Sequence, residues 1–185
     1  APAADIDTLY QAASISKGVT GALVQRLARS NKLQLDVPVD ACLRPWALPS
    51  GQQSPGHPVT LRNLLNHTAG ATVSGFPGYP PSQAIPADLQ VIKGEPPSLT
   101  PAVAIQTIPG AAYAYSGGGY TIAQVAIQQC LRRPFAELMH QEVLQPLGMR
   151  RSTFAQPLPA AEHNHAHGHY VDGSEVEGGA FVYPE

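Results

Sequence analysis

Ala13-Ser14-Ile15-Ser16-Lys17 is the stretch on which the fold and the chemistry of this chain depend. It places a serine three residues before a lysine, and on a helix two such residues share a face about one turn apart. A serine hydroxyl becomes a nucleophile when a neighbouring group takes its proton, and a desolvated lysine is able to do so. The stretch therefore predicts a nucleophile, Ser14, with Lys17 as its partner in proton transfer.

The residues that follow predict a helix from Ser14 to Ser30. An apolar stripe recurs there at helical spacing, formed by Val19, Leu23, Val24 and Leu27. Ser14 would lie at the N-terminus of this helix, where free backbone N–H groups and the helix dipole favour negative charge. Serine is also a common N-cap, so a capping role for Ser14 is the alternative, and the two roles are compatible.

Length and composition indicate one globular domain, or part of a larger one. The chain has 185 residues, 43% hydrophobic and 13% charged, which excludes disorder driven by high charge and low hydrophobicity. Its formal net charge of −2 excludes a broad basic surface, so we expect no nucleic-acid partner. No apolar stretch reaches the length of a membrane span. The first residues lack the features of a signal peptide, but a secreted protein would look the same after cleavage, and we expect a periplasmic or secreted protein.

Cysteines and histidines give no prediction of a metal site or cofactor. Cys42 and Cys130 form no Cys-x-x-Cys pair, and two buried free thiols are predicted, with a disulfide as the alternative. Four histidines alternate near the C-terminus, at positions 163, 165, 167 and 169. Alternate positions share one face of a strand, which suits the enclosure of an ion poorly, so we expect a solvated loop.

The middle of the chain predicts short helices joined by long loops. Residues 33–37 alternate as a short extended piece, and Thr60 is the expected N-cap of a helix that runs from Leu61 to His67. His67 would be structural, bonding to carbonyls or to the next loop. A loop over residues 70–109, with a helical turn at 87–93, is expected to form the lip of the site. Phe76 and Tyr79 are candidates to line a substrate pocket there, and simple packing is the alternative.

Two further helices are predicted after a glycine-rich turn. Three glycines at positions 117–119 allow a close backbone approach or a sharp bend. A helix over residues 121–131 would follow. Pro134 would then open the next helix in the favoured first-turn position. The buried stripe of that helix is predicted to be Phe135, Leu138, Met139 and Val143.

Five segments, in order, resemble one family. They are Leu9–Lys17, Leu33–Val39, Val59–Gly70, residues 109–120 with Tyr115-Ser116-Gly117, and Pro146–Met149. The chain is similar to the serine β-lactamases of the cephalosporinase type and to their relatives, the D-Ala-D-Ala carboxypeptidases and esterases. The resemblance implies the α-rich part of an α/β β-lactamase/transpeptidase-like fold, with most of the antiparallel sheet missing. Residues 1–185 would form a partial domain with a helical region at 14–150.

The resemblance also implies roles for individual residues. Ser14 would be acylated, Lys17 would share in proton transfer, and Tyr115 would match the tyrosine of the family's Tyr-x-Asn motif. The Ser14 backbone N–H would supply half of an oxyanion hole, the other half coming from a strand near the family's C-terminus. Gly117 stands where the motif has asparagine, at a position that contacts substrate. The family's Lys-Thr-Gly or His-x-Gly motif has no counterpart.

These features predict a serine hydrolase that forms an acyl-enzyme and acts on an amide, peptide or ester. The missing asparagine favours a peptidase, amidase or esterase over efficient β-lactam hydrolysis. The alternative is a non-catalytic module that binds a peptidoglycan peptide or a partner protein. An α/β-hydrolase is disfavoured because no Gly-x-Ser-x-Gly occurs, and Ser116 is expected to support the backbone beside Tyr115. Partners would be the substrate and the remaining segments of the same enzyme as another chain.

Overall fold

Helices form the framework of residues 3–183, the part of the chain that this computed structural model describes. The five α-helices of that part are α1 (Ser16–Arg29), α2 (Leu61–Leu65), α3 (Asp88–Lys93), α4 (Gly117–Leu131) and α5 (Phe135–Met139). A 3₁₀ turn, Ala13–Ile15, precedes α1, and a π-helical turn, His140–Leu144, continues α5. Further 3₁₀ turns lie at Val39–Ala41 and Glu177–Gly179.

Helix α1 confirms the predicted stripe and begins two residues later than predicted. Leu23, Val24 and Leu27 are buried, and Val19 packs against them half-buried. Ser14 lies inside the 3₁₀ turn that precedes α1, where it caps neither element. The capping alternative for Ser14 is therefore wrong.

Helix α4 is the centre of the core and packs against α2, α3 and α5. It is buried on most sides, with five apolar residues of low exposure at Ile122, Ala123, Val125, Ala126 and Ile127. The helix begins at Gly117, earlier than predicted, because Ser116 caps it by accepting the Gly119 N–H at 2.8 Å. A Cβ at Gly118 would lie 2.7 Å from the Thr72 carbonyl, so the predicted close approach is confirmed and the helix continues without a bend.

Local caps and stripes fix the shorter helices. Thr60 Oγ1 accepts the Asn63 N–H, and Asn63 Oδ1 accepts the Thr60 N–H, so the predicted N-cap is confirmed as a capping box. Helix α2 ends before His67, whose φ of 61° is left-handed. The α3 helix and the stripe of α5, which continues into the π-helical turn at Val143, also follow the prediction.

Extended structure is sparse within residues 3–183. β-Pairing there consists of isolated bridges, such as Ala71 with Ile105 and Tyr79 with Val182, which is consistent with the α-rich part of an α/β fold. The predicted extended piece at residues 33–37 is wrong. The chain bends there because the Leu35 carbonyl accepts the Arg62 N–H, while the Arg62 guanidinium binds Asp36 at 2.6 Å.

Cys42 and Cys130 form a disulfide, so the prediction of two free thiols is wrong. The C-terminal end of α4 packs beside the 3₁₀ turn at Val39–Ala41 and brings the two Cα atoms within 4.8 Å of each other. That separation lies in the range that a disulfide spans. The two cysteines lie 88 positions apart in the sequence, so no local pattern indicates that they meet.

The histidine-rich segment lies in a loop. His167 Nδ1 lies 2.7 Å from Glu175 Oε1, and the His165 and His167 rings lie 5.0 Å apart. In the described part of the chain no group of histidine, cysteine or carboxylate side chains is arranged to hold a metal ion. None of the helices described there combines the length and the apolar character that a membrane crossing requires.

Candidate active site

Ser14 is exposed at the centre of a small group of polar side chains. It lies in the 3₁₀ turn that leads into α1, one turn ahead of Lys17. The Lys17 Nζ donates a hydrogen bond of 3.4 Å to Ser14 Oγ. Ala13, immediately before Ser14, has a φ of 45°, a left-handed conformation that a residue with a Cβ adopts at a cost. The serine therefore sits on a strained turn and faces the lysine.

Tyr115 reaches the same serine from the opposite part of the chain. Its phenol donates a hydrogen bond of 2.8 Å to Ser14 Oγ, and the residue is 40% exposed. Tyr115 directly precedes Ser116, the N-cap of α4, which also donates to the Thr72 carbonyl at 2.7 Å. Since α4 is the centre of the core, this cap fixes the backbone beside Tyr115. Ser116 thus has the supporting position that its sequence predicts.

Two tyrosine rings surround the ammonium group of Lys17. Its Nζ lies 5.5 Å from the ring centroid of Tyr115 and 5.3 Å from that of Tyr120, distances at which a cation is attracted to an aromatic face. The Tyr120 phenol donates to the Leu65 carbonyl at 3.0 Å. Burial, and after it the electrostatic interaction with Tyr115, raise the pKa of Tyr120. Tyr120 therefore stays protonated, and its ring lines one side of the site.

His67 lies against Tyr115, a contact that sequence reasoning missed. The two ring centroids are 4.4 Å apart, and His67 Nδ1 accepts the Ser116 N–H at 3.2 Å. Burial, and after it the positive charge of Lys17, lower the pKa of His67. The sequence predicts a structural role for His67, but nothing in the local sequence indicates its partner Ser116, which lies almost 50 positions away.

Phe76 and Gly117, two of the three predicted substrate-binding residues, lie together. A Cβ added to Gly117 would come within 3.3 Å of the Phe76 ring and within 3.2 Å of the Ser74 carbonyl. Any side chain at position 117 would therefore begin in tight contact with the Phe76 ring and the Ser74 carbonyl. Tyr79 is placed differently: it is 2% exposed, and its phenol oxygen accepts the Leu99 N–H at 2.9 Å. As a buried packing residue, Tyr79 lines no open pocket, and that expectation is wrong.

This arrangement supplies a hydroxyl that is open to solvent and hydrogen-bonded by an amine and a phenol. Such a constellation is suited to nucleophilic attack on a carbonyl followed by acyl transfer. The three side chains are held from two sides, Ser14 and Lys17 by the start of α1 and Tyr115 by the start of α4.

Two curated proteins share moderate similarity with this chain. It is 25% identical over 157 residues to the D-alanyl-D-alanine-carboxypeptidase/endopeptidase AmpH of Escherichia coli, which covers 83% of this chain and 38% of that protein. It is 24% identical over 177 residues to the putative penicillin-binding protein PbpX of Bacillus subtilis, which covers 91% of this chain and 38% of that protein. The chain thus spans less than half the length of these relatives.

Solved structures and a family model agree with these similarities. A β-lactamase/D-alanine carboxypeptidase from Yersinia pestis superposes with a TM-score of 0.67 at 25% identity, over 98% of this chain and 52% of that one. A class C β-lactamase mutant, at 23% identity, shares the fold with a TM-score of 0.66 over 95% of this chain and 44% of that one. The family model described as Beta-lactamase matches residues 2–183. The predicted resemblance is confirmed, and the chain belongs to the Beta-lactamase family.

Proposed function

We propose that this chain carries the acylation centre of a serine hydrolase, with Ser14 as the nucleophile and Lys17 and Tyr115 as its partners in proton transfer. One observation carries the proposal: Ser14 Oγ lies within hydrogen-bonding distance of both the Lys17 Nζ and the Tyr115 phenol. Membership of the Beta-lactamase family supports it.

The proposed chemistry proceeds through an ester on Ser14. Its Oγ attacks the carbonyl carbon of the substrate, and the hydroxyl proton passes to the Lys17–Tyr115 pair, one member of which has already given up a proton. The tetrahedral intermediate then expels an amine or alcohol, which takes the proton from the pair. Water then attacks the carbonyl carbon of the acyl-enzyme and gives its proton to the same pair, which returns a proton to Ser14 Oγ as the bond to the acyl group breaks and the carboxylic acid leaves.

In this scheme, hydrogen-bond donors must stabilise the negative charge that develops on the carbonyl oxygen of the substrate. The Ser14 backbone N–H is the first donor that we propose. The family resemblance assigns a second donor to a C-terminal strand, and residues 3–183 form no such strand beside Ser14. Removal of one such donor costs about 10²–10³-fold in turnover in a serine hydrolase. Efficient turnover would therefore require the second donor to come from another segment.

The substrate that we propose is an amide, peptide or ester. The family relatives named above include a D-alanyl-D-alanine carboxypeptidase/endopeptidase. Because Gly117 offers no side-chain amide to the substrate, the site favours a peptide or ester acyl group over a β-lactam. Phe76 and Gly117 would contact the substrate. The Cys42–Cys130 disulfide supports a periplasmic or secreted location, since disulfides persist in oxidising compartments.

Covalent labelling tests the proposal directly. The full-length protein is treated with a fluorophosphonate probe and a fluorescent penicillin, and the labelled peptide is identified by mass spectrometry. We expect label on Ser14, its loss in Ser14→Ala, and its retention in the matched control Ser16→Ala. Absence of label from the wild type, or label unchanged in Ser14→Ala, would contradict the proposal. Reversible binding of a peptidoglycan peptide without label would favour the non-catalytic module.

A further inference from the structure

His67 accepts hydrogen bonds from the backbone on both sides of Tyr115. The His67 carbonyl accepts the Ala114 N–H at 2.8 Å, and His67 Nδ1 accepts the Ser116 N–H at 3.2 Å. Between these two bonds, the imidazole ring lies 4.4 Å from the Tyr115 ring. The neighbouring Thr68 carbonyl accepts the Gly110 N–H at 2.8 Å, which adds a further hydrogen bond between the end of α2 and the loop before α4. One residue thus holds the backbone before Tyr115, the backbone after it and the side chain itself.

We propose that His67 is a positioning residue, which holds the Tyr115 phenol on Ser14 as a neutral imidazole with its proton on Nε2. This inference rests on the proposed function, in which Tyr115 transfers the proton of Ser14. His67 would join Ser14, Lys17 and Tyr115 as a fourth residue of the site. Its protonation state would affect acylation, although it contacts neither Ser14 nor the substrate. The distance of 2.8 Å between the Tyr115 phenol and Ser14 Oγ is the quantity that this residue would maintain.

The tautomer follows from the hydrogen bond. A backbone N–H only donates, so Nδ1 accepts from Ser116 as an unprotonated nitrogen, and the proton of the neutral ring resides on Nε2. Protonation of Nδ1 would set two N–H groups against each other and would release residue 116.

The surroundings of the ring also disfavour its charged form. The groups that face it are the rings of Tyr113, Tyr115 and Tyr120, at centroid distances of 5.8, 4.4 and 5.3 Å, together with the Lys17 ammonium. Lys17 repels a second positive charge. Burial acts in the same direction and comes first among the causes that lower the pKa of His67.

The backbone conformation of His67 allows its carbonyl and its ring to accept both hydrogen bonds. Its φ of 61° ends α2 and brings both its carbonyl and its ring to the loop before α4. Among residues with a Cβ, asparagine adopts this left-handed conformation more readily than most, and glycine adopts it freely. Asparagine also carries a side-chain oxygen close to the position of Nδ1. These two substitutions therefore differ in the acceptor while both tolerate the backbone.

Nitrogen NMR tests the protonation state without any need for activity. Histidine ¹⁵N-labelled protein is titrated, and the His67 signals are assigned by their loss in His67→Asn. We expect the pattern of a neutral ring with the proton on Nε2 at pH 7.5 and a pKa below the usual value of about 6.5. A charged ring, or a neutral ring with the proton on Nδ1, would overturn the proposal.

Acylation rates test the positioning role. The rate of fluorophosphonate labelling is compared in wild type, His67→Asn and His67→Gly, well below each unfolding transition. We expect His67→Gly to slow labelling by about tenfold or more, because a misplacement of about 1 Å at a reacting group is costly, and His67→Asn to recover most of that loss. Equal rates in all three proteins, or equal losses in both variants, would overturn the acceptor role of Nδ1.

The two tests separate this inference from the proposed function. A wild type that takes no label would refute the serine hydrolase, and the tautomer measurement alone would then decide whether His67 binds Ser116 as a neutral acceptor. A wild type that labels on Ser14 at a rate indifferent to His67 would leave the hydrolase intact and refute the positioning role.

Discussion

Tyr115 donates a hydrogen bond of 2.8 Å to Ser14 across 101 positions of sequence. The two residues belong to different supports: Ser14 to the 3₁₀ turn before α1, and Tyr115 to the loop that precedes α4. A shift of either support would lengthen this bond. The relationship therefore links the packing of the helical core to the chemistry proposed for the serine.

Replacement of Tyr115 by phenylalanine should remove proton transfer and keep the ring. Because the phenol is partly exposed, we expect little change in the free energy of unfolding, while acylation of Ser14 falls by about 10²–10⁴-fold. Labelling kinetics with a fluorophosphonate probe measure the change. Tyr113→Phe is the matched control, since Tyr113 also contacts His67 but is 69% exposed. Equal rates in the two variants would contradict the assignment of Tyr115.

Lys17→Met should raise the pKa of His67. The positive charge of Lys17 disfavours a protonated imidazole nearby, so its removal makes protonation easier and moves the pKa upward towards its usual value. Burial would keep part of the depression in place. A ¹⁵N NMR titration of His67 measures the shift. Lys32→Met is the control, because Lys32 binds Glu142 at 3.0 Å. An unchanged His67 titration in Lys17→Met would show that the two groups do not interact.

Helical stripes and caps could be predicted from sequence because their causes are local. Leu23 and Leu27 recur at helical spacing, and Thr60 and Asn63 satisfy each other within one turn. The extended piece at residues 33–37 failed for the opposite reason. Its alternating pattern was overridden by Arg62, a residue of another element that binds both the backbone and the Asp36 side chain there.

In the candidate site, too, contacts within one turn could be predicted from the sequence, and contacts between distant elements could not. Ser14 and Lys17 could be paired from their spacing alone, whereas the connection to Tyr115 came from the family resemblance. The burial of Tyr79 and the contact of His67 with Ser116 depend on tertiary packing, and no local pattern encodes them. A pocket-lining tyrosine and a buried tyrosine look identical in a loop sequence, because what distinguishes them is the distant chain that covers one of them.

Loss of the Cys42–Cys130 disulfide should destabilise the fold substantially. The bond closes a loop with a sequence separation of 88, and a loop of this size constrains the unfolded chain by about 2–5 kcal/mol. Denaturant unfolding of Cys42→Ser/Cys130→Ser, compared with wild type, measures the difference. A thiol assay under denaturing conditions is the control, and we expect no free thiol in the wild type. Identical unfolding midpoints would contradict a stabilising role.

Glu142 should make stability depend on pH in the acid range. It binds Arg26 at 2.9 Å and Lys32 at 3.0 Å, and these hydrogen bonds hold its pKa below the usual value. A carboxyl whose pKa is lowered by folding stabilises the protein above its unfolded pKa of about 4.3, and this contribution is lost as the pH falls through the folded pKa. With both cations half-exposed, we expect about 1 kcal/mol. Urea unfolding should distinguish wild type from Glu142→Gln at pH 7 and not at pH 3; an equal difference at both would contradict this assignment.

Two glycine-to-alanine substitutions in helices should change stability in opposite directions. At Gly118 in α4, a new Cβ would lie 2.7 Å from both the Thr72 carbonyl and a Val103 methyl group, so backbone must shift, at a cost of about 1–3 kcal/mol. At Gly21 in α1, nothing lies within 4 Å of the new Cβ, and alanine should stabilise the helix by about 0.5–1 kcal/mol. Thermal and denaturant unfolding measure both. Because helix propensity alone predicts the same sign at the two positions, a stabilising Gly118→Ala would show that α4 does not begin against residues 72 and 103.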